Sequence, residues 1–219
     1  ALFNRQPPEA STQRIRVGFY QQDAFQEVDL EGRYSGYGYE FIEEIARKNG
    51  WDCEYVVDSF DRCLQMLQDG RIDLMGGMIP GGTRDEFLLY SAEYEGQDLG
   101  AVFTYREDLP DFTDFSDFEG LRVGMDSFDF NADSFLQMAA NHGVSVQPVI
   151  NRDLGALLGS MRDGEIDVVI TNTPQKIPGG ARMVYRFEMD PFYFAVSQSR
   201  PELQAQIDAA ITEILSENS

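Results

Sequence analysis

The stretch Gly76-Gly77-Met78-Ile79-Pro80-Gly81-Gly82-Thr83-Arg84 combines a cation with backbone that a ligand can approach. A guanidinium presents parallel N–H donors in a rigid fork and can bind a carboxylate through two bonds at once. Glycines beside it leave the main chain open to close approach. Taken alone, Arg84 is more simply explained as the partner of Asp85 or Glu86 in a surface ion pair. Asp23, Asp126 and Asp129 are candidates for acid or base work only in being carboxylates near the expected crevice, and no nucleophile triad, metal cluster or phosphate loop accompanies them. Cys53 and Cys63 lack metal-motif spacing, and the single His142 cannot complete a four-ligand site with them. A disulfide in an oxidising compartment and a pair of buried free thiols both fit these cysteines. His142 precedes Gly143 and suits a helix end. No cofactor is expected.

Several aromatic residues could form stacking walls: Phe19, Tyr20, Tyr37, Phe60 and Phe128. Ordinary packing accounts for each of them singly. Tyr20 and Phe128 stand apart because strand-to-loop ends of open α/β sheets face the ligand crevice.

These residues need a frame, and the sequence supplies it twice. Cys63-Leu64-Gln65-Met66-Leu67-Gln68-Asp69-Gly70-Arg71-Ile72-Asp73-Leu74-Met75 is echoed by Leu157-Leu158-Gly159-Ser160-Met161-Arg162-Asp163-Gly164-Glu165-Ile166-Asp167-Val168-Val169. Each reads as an amphipathic helix ending at Asp-Gly, then an apolar strand opening with Ile-Asp. Upstream, Arg16-Val17-Gly18 and Arg122-Val123-Gly124 each begin a half. Strands are expected over 14–20, 53–57, 72–76, 101–105, 121–125, 144–149, 166–171 and 192–196. Helices are expected from Tyr39 to Asn49, after a Ser59 N-cap, over 134–142, through Leu154 to Met161, and from Pro201 onward. Alternating strands and helices predict mostly parallel sheets flanked by helices, one per lobe. The expected division is a tether at 1–13, a first lobe at 14–104 plus 191–219, and a second lobe at 105–190. Residues 108–120 read as a linker with a small turn. Two lobes joined by two crossings imply a cleft and a hinge.

Composition narrows the partners. The chain has 38 acidic and 17 basic residues and a net charge of -21, with no basic footprint for nucleic acid or an anionic membrane surface. No apolar run approaches the roughly 20 residues that cross a bilayer. Ala1 to Thr12, with Pro7-Pro8, reads as neither signal peptide nor anchor.

Read together, these segments resemble the bacterial extracellular solute-binding proteins of the polar amino-acid type, family 3, with a type II periplasmic-binding fold. The resemblance rests on Ala24-Phe25 after the first strand, Gly38-Tyr39-Glu40, Gly70-Arg71-Ile72-Asp73, and Arg84 followed by Tyr90-Ser91-Ala92-Glu93-Tyr94. Gly120-Leu121-Arg122-Val123-Gly124 and Ile166-Asp167-Val168-Val169 continue it, over about residues 14 to 215. It implies that Arg84 clamps a ligand carboxylate. The chain also departs from the family pattern. Pro80-Gly81-Gly82-Thr83-Arg84 replaces a Thr-Pro-Glu-Arg-like turn, and Asp126-Ser127-Phe128-Asp129 replaces a Gly-Thr or Gly-Ser anion nest. Asn172 stands where an acidic residue commonly meets the ligand's ammonium, so Asp129 is the candidate substitute.

The resemblance implies an extracytoplasmic module without chemistry of its own, closing on a small polar, amino-acid-like or carboxylate solute. The candidate ligand-binding residues are Arg84, Tyr20, Asp23, Phe60, Gly76, Gly77, Met78, Ser127, Phe128, Asp129 and Asn172. The tether and the ending just past a helix suggest the sensor domain of a membrane-tethered histidine kinase or diguanylate cyclase. The alternatives are the binding component of an amino-acid ABC importer, whose partner is a transporter, and a dehydratase-type enzyme on the same fold. A lobe pair that binds no ligand and mediates protein contacts is a further alternative.

Overall fold

The strand carrying Arg16-Val17-Gly18 shows how the first half is packed. Ile15 and Val17 are fully buried on it, while Gly18 leaves room for a helix to lie close. A Cβ at Gly18 would stand 2.6 Å from Ile72 Cδ1 and 3.2 Å from Cys63 Cβ. The second copy uses the same device: a Cβ at Gly124 would stand 3.1 Å from Val169 and 3.3 Å from both Ile166 and Leu157. The echoed glycines are therefore points of close approach between a strand and its neighbours, a helix residue among them in each case.

The computed structural model describes residues 12–172 and 179–218. Residues 1–11 of the expected tether lie outside them. In chain order the strands are β1 (Gln13–Phe19), β2 (Glu27–Val28), β3 (Tyr34–Ser35), β4 (Trp51–Val57), β5 (Leu74–Met78), β6 (Leu88–Tyr90), β7 (Leu99–Thr104), β8 (Arg122–Asp126), β9 (Gln147–Asn151), β10 (Val168–Thr171), β11 (Arg182–Glu188) and β12 (Tyr193–Ser197). The α-helices are α1 (Tyr37–Asn49), α2 (Phe60–Gln68), α3 (Ala132–Asn141), α4 (Leu154–Arg162) and α5 (Glu202–Glu217). Ser59 caps α2 as its sequence suggests, accepting the Arg62 N–H at 3.2 Å.

Two compact units result, each with its own sheet. The first contains the described residues up to Gln21, Val28–Glu95 and those from Phe192 onward; the second contains Gln22–Glu27 and Gly96–Pro191. Sheet order is β4-β1-β5-β12-β6 in the first and β11-β7-β10-β8-β9 in the second. Reversed, the second order matches the first strand for strand. β4, β1 and β5 are parallel neighbours, as are β9, β8 and β10. One strand in each sheet runs against both of its neighbours: β12 in the first, β7 in the second. The sheets are thus mixed, with a parallel core.

The first core joins Ile15, Val17, Ile42, Ile45, Trp51 and Phe194 to the buried stripe Leu203, Ile207, Ala210 and Ile211 of α5. Ile214, expected on that stripe, is only partly buried. The second core is aromatic and corrects one expectation. Residues 108–120 form no mere linker: Leu109, Phe112, Phe115 and Phe118 are all buried there with Phe135. A 3₁₀ turn over Phe115–Phe118 aims them inward, held by a capping box between Asp114 and Asp117. β7 also differs from expectation. The sequence division at residue 104 puts it with the first lobe, whereas it pairs with β10 and β11. β11 had not been anticipated from sequence.

Candidate ligand-binding site

In the first unit the candidate residues gather where β5 ends. Tyr20, just past β1, donates from its hydroxyl to the Gly76 carbonyl at 2.9 Å. Its ring meets Phe60 edge-on, with centroids 5.0 Å apart. Tyr20 is 5% exposed, so it packs the floor of this region instead of standing as an open wall. Burial, then the neighbouring Glu95 and Cys63, push its hydroxyl pKa well above the ordinary tyrosine value. Met78 is fully buried.

Glu95 was absent from the sequence candidates, and it is the least expected group at this point. Its carboxyl accepts the Gly77 N–H at 2.7 Å, while its Oε2 is buried without a hydrogen-bond partner. Gly76 must be glycine to admit it, since a Cβ there would stand 2.8 Å from both carboxyl oxygens. Gly77 takes a left-handed φ of 72°, which turns its N–H toward the acid. Burial raises the Glu95 pKa to about 8, against the lowering effect of the Gly77 N–H. The Gly77 donor, expected to face a ligand, is therefore held by the chain's own carboxyl. Nothing in Glu93-Tyr94-Glu95 distinguishes this acid from a surface one, and its role emerges only from long-range packing.

Arg84 sits on a 3₁₀ turn, Thr83–Phe87, half-buried. One terminal nitrogen donates to the Ile79 carbonyl at 2.6 Å, closing the glycine-rich loop. Its Nε is buried with no acceptor among the described residues. Asp85 is occupied elsewhere, accepting the Gly81 N–H at 3.0 Å and the Tyr90 hydroxyl at 2.7 Å. Those two bonds, the Gly81 one first, hold its pKa below the usual carboxylate value. Among the described residues no direct salt bridge joins Arg84 to Asp85 or Glu86, although the Arg84 charge adds to the lowering of the Asp85 pKa.

In the second unit the loop after β8 is built from Asp126-Ser127-Phe128-Asp129. The Phe128 N–H binds Asp126 Oδ1 at 3.1 Å, and the Phe130 N–H binds the Asp126 carbonyl at 2.9 Å. Ser127 donates from its hydroxyl to Asp23 at 3.0 Å, and Arg152 approaches the same Asp23 carboxylate at 3.5 Å. Arg152 also binds Glu27 at 3.1 Å and stands 6.0 Å from the Phe128 ring centroid. Phe128 is 47% exposed.

Asn172 and Asp129 are committed to the backbone. Asn172 Oδ1 accepts the Leu99 N–H at 2.7 Å, tying the start of β7, and the Asn172 N–H donates to Asp129 at 3.2 Å. An aspartate at position 172 could accept the same N–H, so the neutral side chain alone does not explain the choice. Burial raises nearby Asp98 to about 6, with Asp129 adding to the shift.

The other reactive residues are structural. Cys53 and Cys63 are free thiols, which decides between the two readings of them in this structure. Burial, then Glu43 and Asp52, raises Cys53 to about 12, and burial also raises Cys63. His142 stacks on Phe115 with centroids 4.7 Å apart. Among the described residues no group of three or more His, Cys, Asp or Glu is arranged to hold a metal, and no helix is long and apolar enough to cross a membrane.

Comparison with known proteins follows the architecture. The family model described as bacterial extracellular solute-binding proteins, family 3, matches residues 15–219. Substrate-binding domain 2 of Lactococcus lactis GlnP, in an open conformation, superposes with a TM-score of 0.62 at 16% identity, covering 97% of this chain and 93% of that one. A histidine kinase sensor domain similar to periplasmic binding proteins gives 0.60 at 18% identity, covering 94% and 92%. An ancestral arginine-binding protein bound to arginine gives 0.59 at 22% identity, covering 94% and 93%. At these identities the likeness is one of fold. No curated protein matches the chain.

Proposed function

The chain belongs to the bacterial extracellular solute-binding proteins, family 3, and from that premise we propose that it binds a small amino-acid-like or carboxylate solute through Arg84. The observation that carries this is the state of that guanidinium. It is half-buried beyond the glycine-rich turn that follows β5, donates to the Ile79 carbonyl and also engages the Tyr90 hydroxyl, and its Nε has no acceptor among the described residues. A buried donor without a partner costs about 1–3 kcal/mol, which an arriving carboxylate would recover. Ser127, Phe128 and Asp129, which follow β8 in the second unit, are proposed as further ligand-binding residues.

The role is that of a binding module without catalysis, placed outside the cytoplasm and tethered to a membrane in the full-length protein. We place it as the sensor domain of a signalling protein, a reading supported by the likeness to a histidine kinase sensor domain. The similar GlnP domain supports the alternative, delivery of the solute to a transporter. Flanking gene sequence separates the two: a transmembrane segment joined to a kinase or cyclase, or a lipoprotein leader. Binding itself is tested by thermal shift with amino acids and small carboxylates, in which Arg84→Ala should abolish the stabilisation. A normal response from that variant would refute the assignment.

A further inference from the structure

Glu95 is a buried acid that the binding reading does not use, and its surroundings fit one purpose. It is 2% exposed, its Oε1 takes the Gly77 N–H at 2.7 Å, and its Oε2 has no hydrogen-bond partner among the described residues. Its own backbone is fixed on both sides: the Glu95 N–H donates to the Phe192 carbonyl at 2.8 Å, and the Tyr37 hydroxyl of α1 donates to the Glu95 carbonyl at 2.7 Å. The Tyr20 hydroxyl, nearest in charge effect, directs its proton to Gly76, with Cys63 of α2 behind it. No cationic side chain among the described residues contributes to the ionisation of Glu95.

We propose that Glu95 is a proton-binding residue that controls whether the Gly77 N–H of β5 can serve an anionic solute. This rests on the functional reading above, in which a carboxylate is held by Arg84 and the end of that strand. Ionised, Glu95 would grip the Gly77 N–H through a charge-assisted bond and repel a second carboxylate. Neutral, it holds the N–H weakly and carries no charge to oppose the solute. Burial with a single donor and no cation favours the neutral form, in keeping with a pKa raised to about 8. The acid therefore acts as a specificity residue: it admits anionic groups at neutral pH and rejects them above its midpoint.

The test follows the Gly77 amide of the ¹⁵N-labelled chain from pH 6 to 9.5, without ligand. A transition near pH 8 in the wild type, absent in Glu95→Gln, supports the proposal. A flat wild-type profile, or an unchanged transition in the variant, overturns it. Calorimetric titration with glutamine at pH 7 and 9 then reads the consequence. Linkage to one proton predicts affinity about tenfold lower at pH 9 in the wild type, beyond any change shared with Glu95→Gln. Equal pH dependence in both proteins overturns the control of solute binding. If glutamine, arginine and glutamate bind at neither pH, the functional reading falls and control of solute with it, while the Gly77 profile shows separately whether the proton site stands.

Discussion

Asp73 and Arg16 are bound to one another through both backbone and side chain. The Arg16 N–H and Nε reach Asp73 Oδ2 at 2.8 and 3.2 Å, Nη2 reaches Oδ1 at 2.9 Å, and the Asp73 N–H returns to the Arg16 carbonyl at 2.8 Å. Asp167 and Arg122 repeat the arrangement, with 2.8, 3.1 and 2.7 Å for the same atoms and 2.9 Å for the return bond. The echoed Arg-Val-Gly and Ile-Asp sequences are thus two ends of one lock in each unit. The lock sets β1 against β5, the strand that carries Gly76 and Gly77, and does the same for β8 and β10. A second arginine reinforces each aspartate, Arg200 at 3.4 Å from Asp73 and Arg106 at 3.0 Å from Asp167.

Acid should loosen the second lock. The Arg122 guanidinium, outweighing burial, and its N–H hold Asp167 at about 2. In the unfolded chain an aspartate titrates near ~3.9. A depressed folded pKa gives stability that is complete above the unfolded value and is lost as pH falls from about 4 to about 2. Chemical denaturation of Asp167→Asn should show roughly 1–3 kcal/mol less stability at pH 7, with a flatter profile through that window. For Asp73 burial opposes the arginines, yet the net shift is also downward, so Asp73→Asn should behave alike.

Gly18→Ala should destabilise the first unit. The added methyl meets Ile72 Cδ1 at 2.6 Å and Cys63 Cβ at 3.2 Å, so the fully buried Ile72 side chain must move and Cys63 of α2 must give slightly. Overpacking of this kind costs about 1–3 kcal/mol, read as a lower melting temperature. Gly159→Ala, with nothing within 4 Å of its Cβ, is the matched control and should leave stability unchanged or raise it slightly.

Phe118→Ala should be among the most damaging substitutions in the second unit. The ring is fully buried and meets Phe112, Phe115, Phe135 and Phe187, with centroids between 5.1 and 5.9 Å. Truncating such a side chain costs about 3–5 kcal/mol. A loss under 1 kcal/mol in denaturant unfolding would mean that residues 108–120 do not build that core.

Local signals were the legible ones. Ser59 announced its helix, Pro201 preceded another, and the repeated Arg-Val-Gly and Ile-Asp pairs announced two similar halves. The aromatic core of the second unit left a trace in the spacing of Phe112, Phe115 and Phe118, but the surrounding aspartates gave the segment the composition of a linker. β11 offered little to read, because Arg182, Arg186 and Glu188 punctuate an exposed strand whose register comes from β7. The site was legible as a set of residue types, not as contacts. Whether Asn172 faces a ligand or the Leu99 N–H depends on β7, and whether Gly77 is open depends on Glu95. Both partners are far away in sequence.

The most direct measurement of solute binding is a thermal-shift panel of arginine, glutamine, glutamate and small dicarboxylates on the wild type and Arg84→Ala. Ligand at one hundred times its Kd should stabilise the wild type by about 2.7 kcal/mol. The account predicts that at least one solute raises the wild-type melting temperature and that the same solute leaves Arg84→Ala unmoved. No shift with any solute, or an equal shift in both proteins, would contradict it.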